Sequence, residues 1–236
     1  MLKFVPPNSI GRDFICSDIH GHFSLLEAEL SLVNFDEGVD RLFSLGDLID
    51  RGYESHLALE WLKKPWFYAI QGNHERMLIN AYEQRSEMLW RQWMMWGGDW
   101  AEDMGFEQLE SYFRAFKSLP IGLEIALTDS KTIGLIHAEL PDVCDWREVR
   151  DVLLSVPANQ VEANRITSDM LWNKAQPYLS SEERGRVKPV ANIYHVFHGH
   201  TIVEDYLTIT NRTFMDLGAY QTGRIGLIEP VQFLNL

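Results

Sequence analysis

Residues 41–52 read RLFSLGDLIDRG. A mostly apolar run over 41–45 gives way at Gly46 to Asp47, Asp50 and Arg51. A short apolar run closed by glycine predicts a buried strand, and the charged residues beyond it belong to the loop leaving the sheet. The same pattern stands on either side. Upstream, 13–17 (DFICS) leads into Asp18-Ile19-His20-Gly21; downstream, 66–70 (WFYAI) leads into Gly72-Asn73-His74-Glu75. Between them, 23–33 (FSLLEAELSLV) sets Leu25, Leu26, Leu30 and Val33 on one helical face, and 54–63 (ESHLALEWLK) predicts a second helix stopped by Pro65. A third helix begins over 74–85. This β-α-β-α-β-α order predicts a parallel sheet with helical crossovers. Asp18, Asp47 and Asn73 lie 29 and 26 residues apart, about one β-α-β unit each.

Beyond this core, 86–118 is aromatic and predicted to be mostly helical. Trp90, Trp93, Trp96 and Trp100 recur at spacings of 3, 3 and 4, which predicts a helical face packed into the core. Strands return at 121–126, 132–137, 193–198, 206–210, 213–217 and 225–229, and the close spacing of the last ones suggests antiparallel meanders. Residues 142–190 read as helix or loop. The expectation is one α/β domain over 1–236, a β-sheet sandwich flanked by helices.

The 236 residues carry 21 basic and 34 acidic side chains, a formal charge of −13. Such a balance argues against a duplex nucleic-acid binder, which needs a basic face, and against an anionic membrane surface. Phosphate stays open as a ligand, because bound metal ions can supply the missing positive charge. Two cysteines, Cys16 and Cys144, are too few for a disulfide framework and fit a reducing cytoplasm. Cys16, within Phe14-Ile15-Cys16, reads as a small buried hydrophobe. The segment Met1–Pro7 lacks the apolar stretch of a signal peptide, and no window approaches 18 apolar residues.

Chemistry is concentrated at strand ends, where open α/β sheets bind ligands. Three successive ends deliver Asp18, His20, Asp47, Asp50, Arg51, Asn73 and His74 to one rim. Two later strands end the same way, on His137 (Ile-Gly-Leu-Ile-His, 133–137) and on His200 (Val-Phe-His-Gly-His, 196–200). An Asp, Asn and His set without paired cysteines suits two divalent ions of manganese, iron or zinc. Asp47 is the natural bridge, since one carboxylate can hold two ions about 3.5–4 Å apart. Any one of these residues alone would pass for a satisfied polar group at a strand end; six in this order do not. Glu75 reads as a structural acid facing the helix dipole, and His22, His56 and His195 as surface or packing residues.

The ordered motifs Asp18-Ile19-His20-Gly21, Gly46-Asp47-Leu48-Ile49-Asp50-Arg51-Gly52 and Gly72-Asn73-His74-Glu75, followed by two isolated histidines, resemble the calcineurin-like metallophosphoesterases. Within them the chain looks like the phosphoprotein phosphatases of the bacteriophage lambda type. Softer features extend the resemblance over nearly the whole chain: Trp96-Gly97-Gly98-Asp99-Trp100, Leu119-Pro120, His137-Ala138, Leu171-Trp172 and Gly199-His200. The resemblance implies that Asp18 and His20 ligate one metal, that Asp47 bridges, and that Asn73, His137 and His200 ligate the other. It implies in-line attack of a metal-bridging water on a phosphomonoester, with His74 as general acid oriented by Asp50. Arg51, beside Asn73, would grip the phosphate. It also implies two divalent ions, manganese foremost, and phosphoserine or phosphothreonine protein substrates, with phosphotyrosine and small aryl phosphates tolerated.

Ser17 stands where the family usually has glycine. A second phosphate-binding arginine is expected between the two late histidines. Here Asn173-Lys174 follows Leu171-Trp172, so Lys174 or Arg165 is the candidate, lysine being the weaker clamp. Two other functions fit the scaffold. One is a diadenosine polyphosphate hydrolase, which usually lacks the aspartate at position 50 and often has aspartate at position 75. The other is a non-catalytic binding module, against which the intact ligand set and His74 argue.

Overall fold

The structure is a computed structural model and describes residues 1–140, 145–154 and 160–236; Cys144 lies outside them. The first strand, β1 (Leu2–Val5), precedes the predicted series: β2 (Asp13–Cys16), α1 (Phe23–Leu32), β3 (Arg41–Ser44), α2 (Ala58–Trp61), β4 (Phe67–Ala69) and α3 (Asn73–Gln84). The predicted 54–63 helix is split, with a 3₁₀ turn at Ser55–Leu57 entering a short α2. Next come α4 (Glu87–Met95), a 3₁₀ turn at Gly98–Ala101 and α5 (Phe106–Ser118). Then follow β5 (Gly122–Ala126), β6 (Thr132–Ile136), α6 (Trp146–Leu154), α7 (Gln160–Trp172) and α8 (Ser181–Arg184). The chain closes with β7 (His195–His198), β8 (Leu207–Ile209), β9 (Arg212–Phe214), α9 (Ala219–Thr222), β10 (Leu227–Ile228) and α10 (Pro230–Phe233).

These strands form two sheets. The first is ordered β10-β2-β3-β4, the second β1-β5-β6-β7-β9-β8. As predicted, β2, β3 and β4 pair in parallel. The late strands are only partly a meander. β8 and β9 are antiparallel, but β7 runs parallel to both β6 and β9, and β10 returns to the first sheet, antiparallel to β2. Short spacing cannot reveal this, because the partner of β10 is more than 200 positions earlier in the chain. β1 went unread because two of its four residues, Lys3 and Phe4, are exposed; it is an edge strand parallel to β5.

Strand alternation explains the layers. Ile15, Phe43 and Leu45 from the first sheet meet Leu123, Ile125, Ile133, Leu135 and Phe197 from the second between the sheets. Their neighbours Phe14, Cys16 and Leu42 point the other way, into a cluster with α1–α5. On the outer face of the second sheet, Ile136 and Val196 pack against α6 and α7 through Trp146, Val149 and Met170. The result is a sandwich of two sheets with helices on both outer faces. The carboxyl ends of β2, β3, β4, β6 and β7 converge on one rim.

Candidate metal and phosphate site

Asp47 is the centre of that rim. Its Oδ2 lies 3.5 Å from His20 Nε2 and 4.0 Å from His74 Nε2, and its Oδ1 lies 3.5 Å from His137 Nε2. Two groups of potential ligands therefore share it: His20, Asp47 and His74, and Asp47, His137 and His200. Close backbone approach makes this packing possible. A Cβ on Gly72 would lie 2.1 Å from Asp47 Oδ1, and one on Gly199 would lie 2.1 Å from Asp18 Oδ1. His20, Asp47, Asp50, Arg51 and His200 all have positive φ, and backbone strain of this kind persists only where the surroundings hold it.

Hydrogen bonds set which ring nitrogen carries a lone pair. His20 Nδ1 donates to the Ile49 carbonyl (3.0 Å), His137 Nδ1 to that of Leu45 (2.7 Å) and His200 Nε2 to that of Trp172 (3.2 Å). In the neutral rings the opposite nitrogens are then acceptors. Burial holds His20 and His137 below the usual imidazole range and pushes His200 down to about 3. His137 Nε2 thus presents a lone pair to Asn73 Oδ1 at 2.8 Å and to Asp47 Oδ1 at 3.5 Å. Lone pairs that converge without a proton between them call for a cation.

The carboxylates make the same demand. Asp18 accepts from the His200 amide with both oxygens at 3.1 Å and is not in either three-residue group around Asp47. Its pKa is raised by burial and by the neighbouring Asp216 and Asp47. Asp216 is pushed up to about 7 by burial and by Asp47, while its Oδ1 accepts from Gly218 N. Three buried acids around one point fit divalent metal. Asp216 was missed in the sequence, although Met215-Asp216-Leu217-Gly218 just past β9 repeats the strand-end pattern.

His74 sits differently. Its Nδ1 donates to Asp50 Oδ2 at 2.7 Å, and its buried Nε2 has no hydrogen-bond partner among the described residues. Burial opposes its charged form, but Asp47 and the bond to Asp50 outweigh this and hold it above the usual imidazole range. Asp50 is fully buried and also accepts from Trp93 Nε1 (2.8 Å) and Trp100 Nε1 (2.7 Å). The tryptophan reading holds for Trp93 in the core and for Trp90 and Trp100 packed against it, and is corrected for Trp96. α4 ends at Met95, so Trp96 is 52% exposed, and two of the four indoles are bonded to a site carboxylate. Sequence spacing marks an aromatic face but not where an indole N–H ends.

Arg51 Nη1 lies 3.0 Å from His20 Nε2, and its guanidinium stacks 4.2 Å from the ring centre of Tyr220, a wall residue that sequence reading missed. Glu75 is structural, as expected, but through hydrogen bonds rather than the helix dipole alone: it accepts from Asp47 N, Leu48 N and Gly72 N. Lys174 is exposed in the turn after α7, two residues past the Trp172 carbonyl that receives His200. Arg165 lies two turns back on α7, ion-paired with Asp169 at 3.2 Å.

Residues 14–204 match the model of the calcineurin-like phosphoesterase family. The chain is 29% identical to serine/threonine-protein phosphatase 2 of Salmonella typhimurium over 92% of its length and 91% of that protein. It is 37% identical to the symmetrical bis(5'-nucleosyl)-tetraphosphatase of Photorhabdus laumondii, but over 29% of this chain and 26% of that one. A serine/threonine phosphatase structure from Saccharomyces cerevisiae superposes with a TM-score of 0.62 at 16% identity, covering 91% of this chain and 70% of that one. With strand-end motifs, sandwich topology and family match in agreement, the chain belongs to the calcineurin-like phosphoesterase family.

Proposed function

We propose that this protein is a metal-dependent phosphoprotein phosphatase acting on phosphoserine and phosphothreonine, with tolerance for aryl phosphates. The observation that carries the reading is Asp47, whose two oxygens face His20 and His74 on one side and His137 on the other. Similarity along nearly the full length of a serine/threonine-protein phosphatase supports it over the dinucleotide reading, for which the sequence match to the Photorhabdus laumondii protein spans only a short segment.

Asp18, His20 and Asp47 would hold one ion, and Asp47, Asn73, His137 and His200 the other, with Asp216 adding negative charge nearby. Two divalent ions, manganese suiting an oxygen and imidazole set without thiolates, supply a water of lowered pKa and neutralise phosphoryl oxygens when bound. Arg51 grips non-bridging phosphate oxygens through its planar fork, and stacking on Tyr220 limits its swing. Lys174 is the second phosphate contact in this reading, because its turn is tied to His200 whereas Arg165 is engaged with Asp169. His74 Nε2–H gives its proton to the departing serine or threonine oxygen as the phosphorus–oxygen bond breaks. Asp50 fixes the ring so that Nε2 faces the site.

The test is phosphate release from a phosphoserine peptide, an aryl phosphate and diadenosine tetraphosphate by chelator-stripped protein resupplied with manganese. Release from the first two is expected. Preference for the dinucleotide, or silence on all three with metal bound, overturns the proposal.

A further inference from the structure

We propose that the segment from α4 through the 3₁₀ turn at Gly98–Ala101 is a clamp for the acid–arginine turn, with Trp93 and Trp100 as positioning residues acting on His74 through Asp50. This rests on the reading of His74 as general acid.

Three contacts carry it. Trp93 Nε1 donates to Asp50 Oδ2, the same oxygen that receives His74 Nδ1, and Trp100 Nε1 donates to Asp50 Oδ1. Between the two indoles in sequence, the Gly97 carbonyl accepts the Arg51 amide at 2.9 Å. Asp50 and Arg51 are consecutive non-glycine residues at φ +73° and +70°, a strained turn that needs external support. The clamp has its own requirement for glycine. Gly97 has φ +106°, and a Cβ on Gly98 would lie 2.7 Å from the Trp93 ring.

The chemistry of the donors determines what the clamp does. An indole N–H can only donate. Two of them keep Asp50 an acceptor with both oxygens occupied, and an accepting Asp50 requires the His74 proton on Nδ1. Donor-only, acceptor-only and donor groups then form one chain that fixes the ring plane and leaves Nε2 towards Asp47. Without these donors the wholly buried carboxylate would have, among the described residues, only His74 to satisfy it. Trp90 marks the contrast: it packs edge-on against Trp93 at 5.2 Å, with no bond to Asp50.

Trp100 is half-buried and is the variant to make first, since Trp93 lies wholly within the core. Trp100→Phe is expected to lower kcat on a phosphoserine peptide about tenfold and on a good-leaving-group aryl phosphate less than about threefold. KM and bound manganese should stay within about twofold. Trp90→Phe should show no such split. A purely structural role would slow both substrates alike, and that result overturns the clamp. Replacing both tryptophans with benzothienylalanine removes the donors and keeps the shape; full activity on phosphoserine in that protein also overturns it.

His74→Asn run in parallel separates the two readings. If it discriminates between the substrates and Trp100→Phe does not, the clamp fails and the acid stands. If His74→Asn itself does not discriminate, the acid reading fails and takes the catalytic part of the clamp with it. A signature independent of turnover is the pair of indole N–H resonances of Trp93 and Trp100, both of which should move in Asp50→Asn. Two unmoved signals would show that neither indole holds the carboxylate.

Discussion

The four-stranded sheet delivers Asp18, His20, Asp47, Asp50, Arg51, Asn73 and His74 from three consecutive strand–helix loops within 57 residues. The six-stranded sheet delivers His137 and His200 from strand ends 63 residues apart, together with Asp216. In the first sheet each loop is cross-braced by the others: Glu75 receives the amides of Asp47 and Leu48, and Asp47 Oδ1 receives the amide of His74 at 2.9 Å. In the second sheet the histidines are oriented from outside it, His137 by the Leu45 carbonyl and His200 by Trp172 and Asp18. In the proposed site, one half would carry the reactive groups on a cross-braced cradle, and the other would complete the ligand set by leaning on that cradle.

Asp47 joins the halves, and removing its charge gives the largest effect. Asp47→Asn is expected to lower turnover on the order of 10³-fold or more and to reduce bound manganese, read by phosphate release and metal analysis of dialysed protein. Full activity with two ions retained would break the comparison. His74→Asn touches only the first half. It should retain both ions and lower kcat on phosphoserine about 10²- to 10³-fold, with a much smaller loss on aryl phosphate.

Lys174 tests the weaker half. Lys174→Ala should raise KM for a phosphopeptide roughly fivefold with little change in kcat, because an exposed monodentate contact binds ground and transition states alike. A large effect of Arg165→Ala instead would move the second phosphate contact back along α7.

A last effect is acid sensitivity, to which His195 and His198 of the six-stranded sheet contribute. Burial pushes His195 down to about 4 and His198 down to about 3. Both are neutral when folded, while the unfolded chain takes up their protons below about pH 6.5. Stability therefore falls as pH drops from about 6.5 towards 4. Thermal melts over this range should slope less for His195→Gln than for the parent protein.

The same contrast explains what could be read from the sequence. Contiguous motifs exposed the first half, since each loop places its polar residues directly after an apolar run. His137 and His200 ended strands in the same way and so joined the set, but only resemblance to the phosphoesterases assigned them to one of the two metals. Trp93, Trp100 and Tyr220 escaped because their roles depend on where the tip of a side chain arrives, which periodicity does not record. Asp216 escaped for a lesser reason, since it follows β9 as Asp47 follows β3. The edge strand β1 and the return of β10 to the first sheet depend on partners far along the chain.

The most direct test of the shared bridge is a manganese titration of chelator-stripped protein, following bound ions and phosphate release from a phosphoserine peptide together. Turnover should rise with the second ion and be lost in Asp47→Asn. Full turnover at one ion per chain, or two ions bound without turnover, would contradict it.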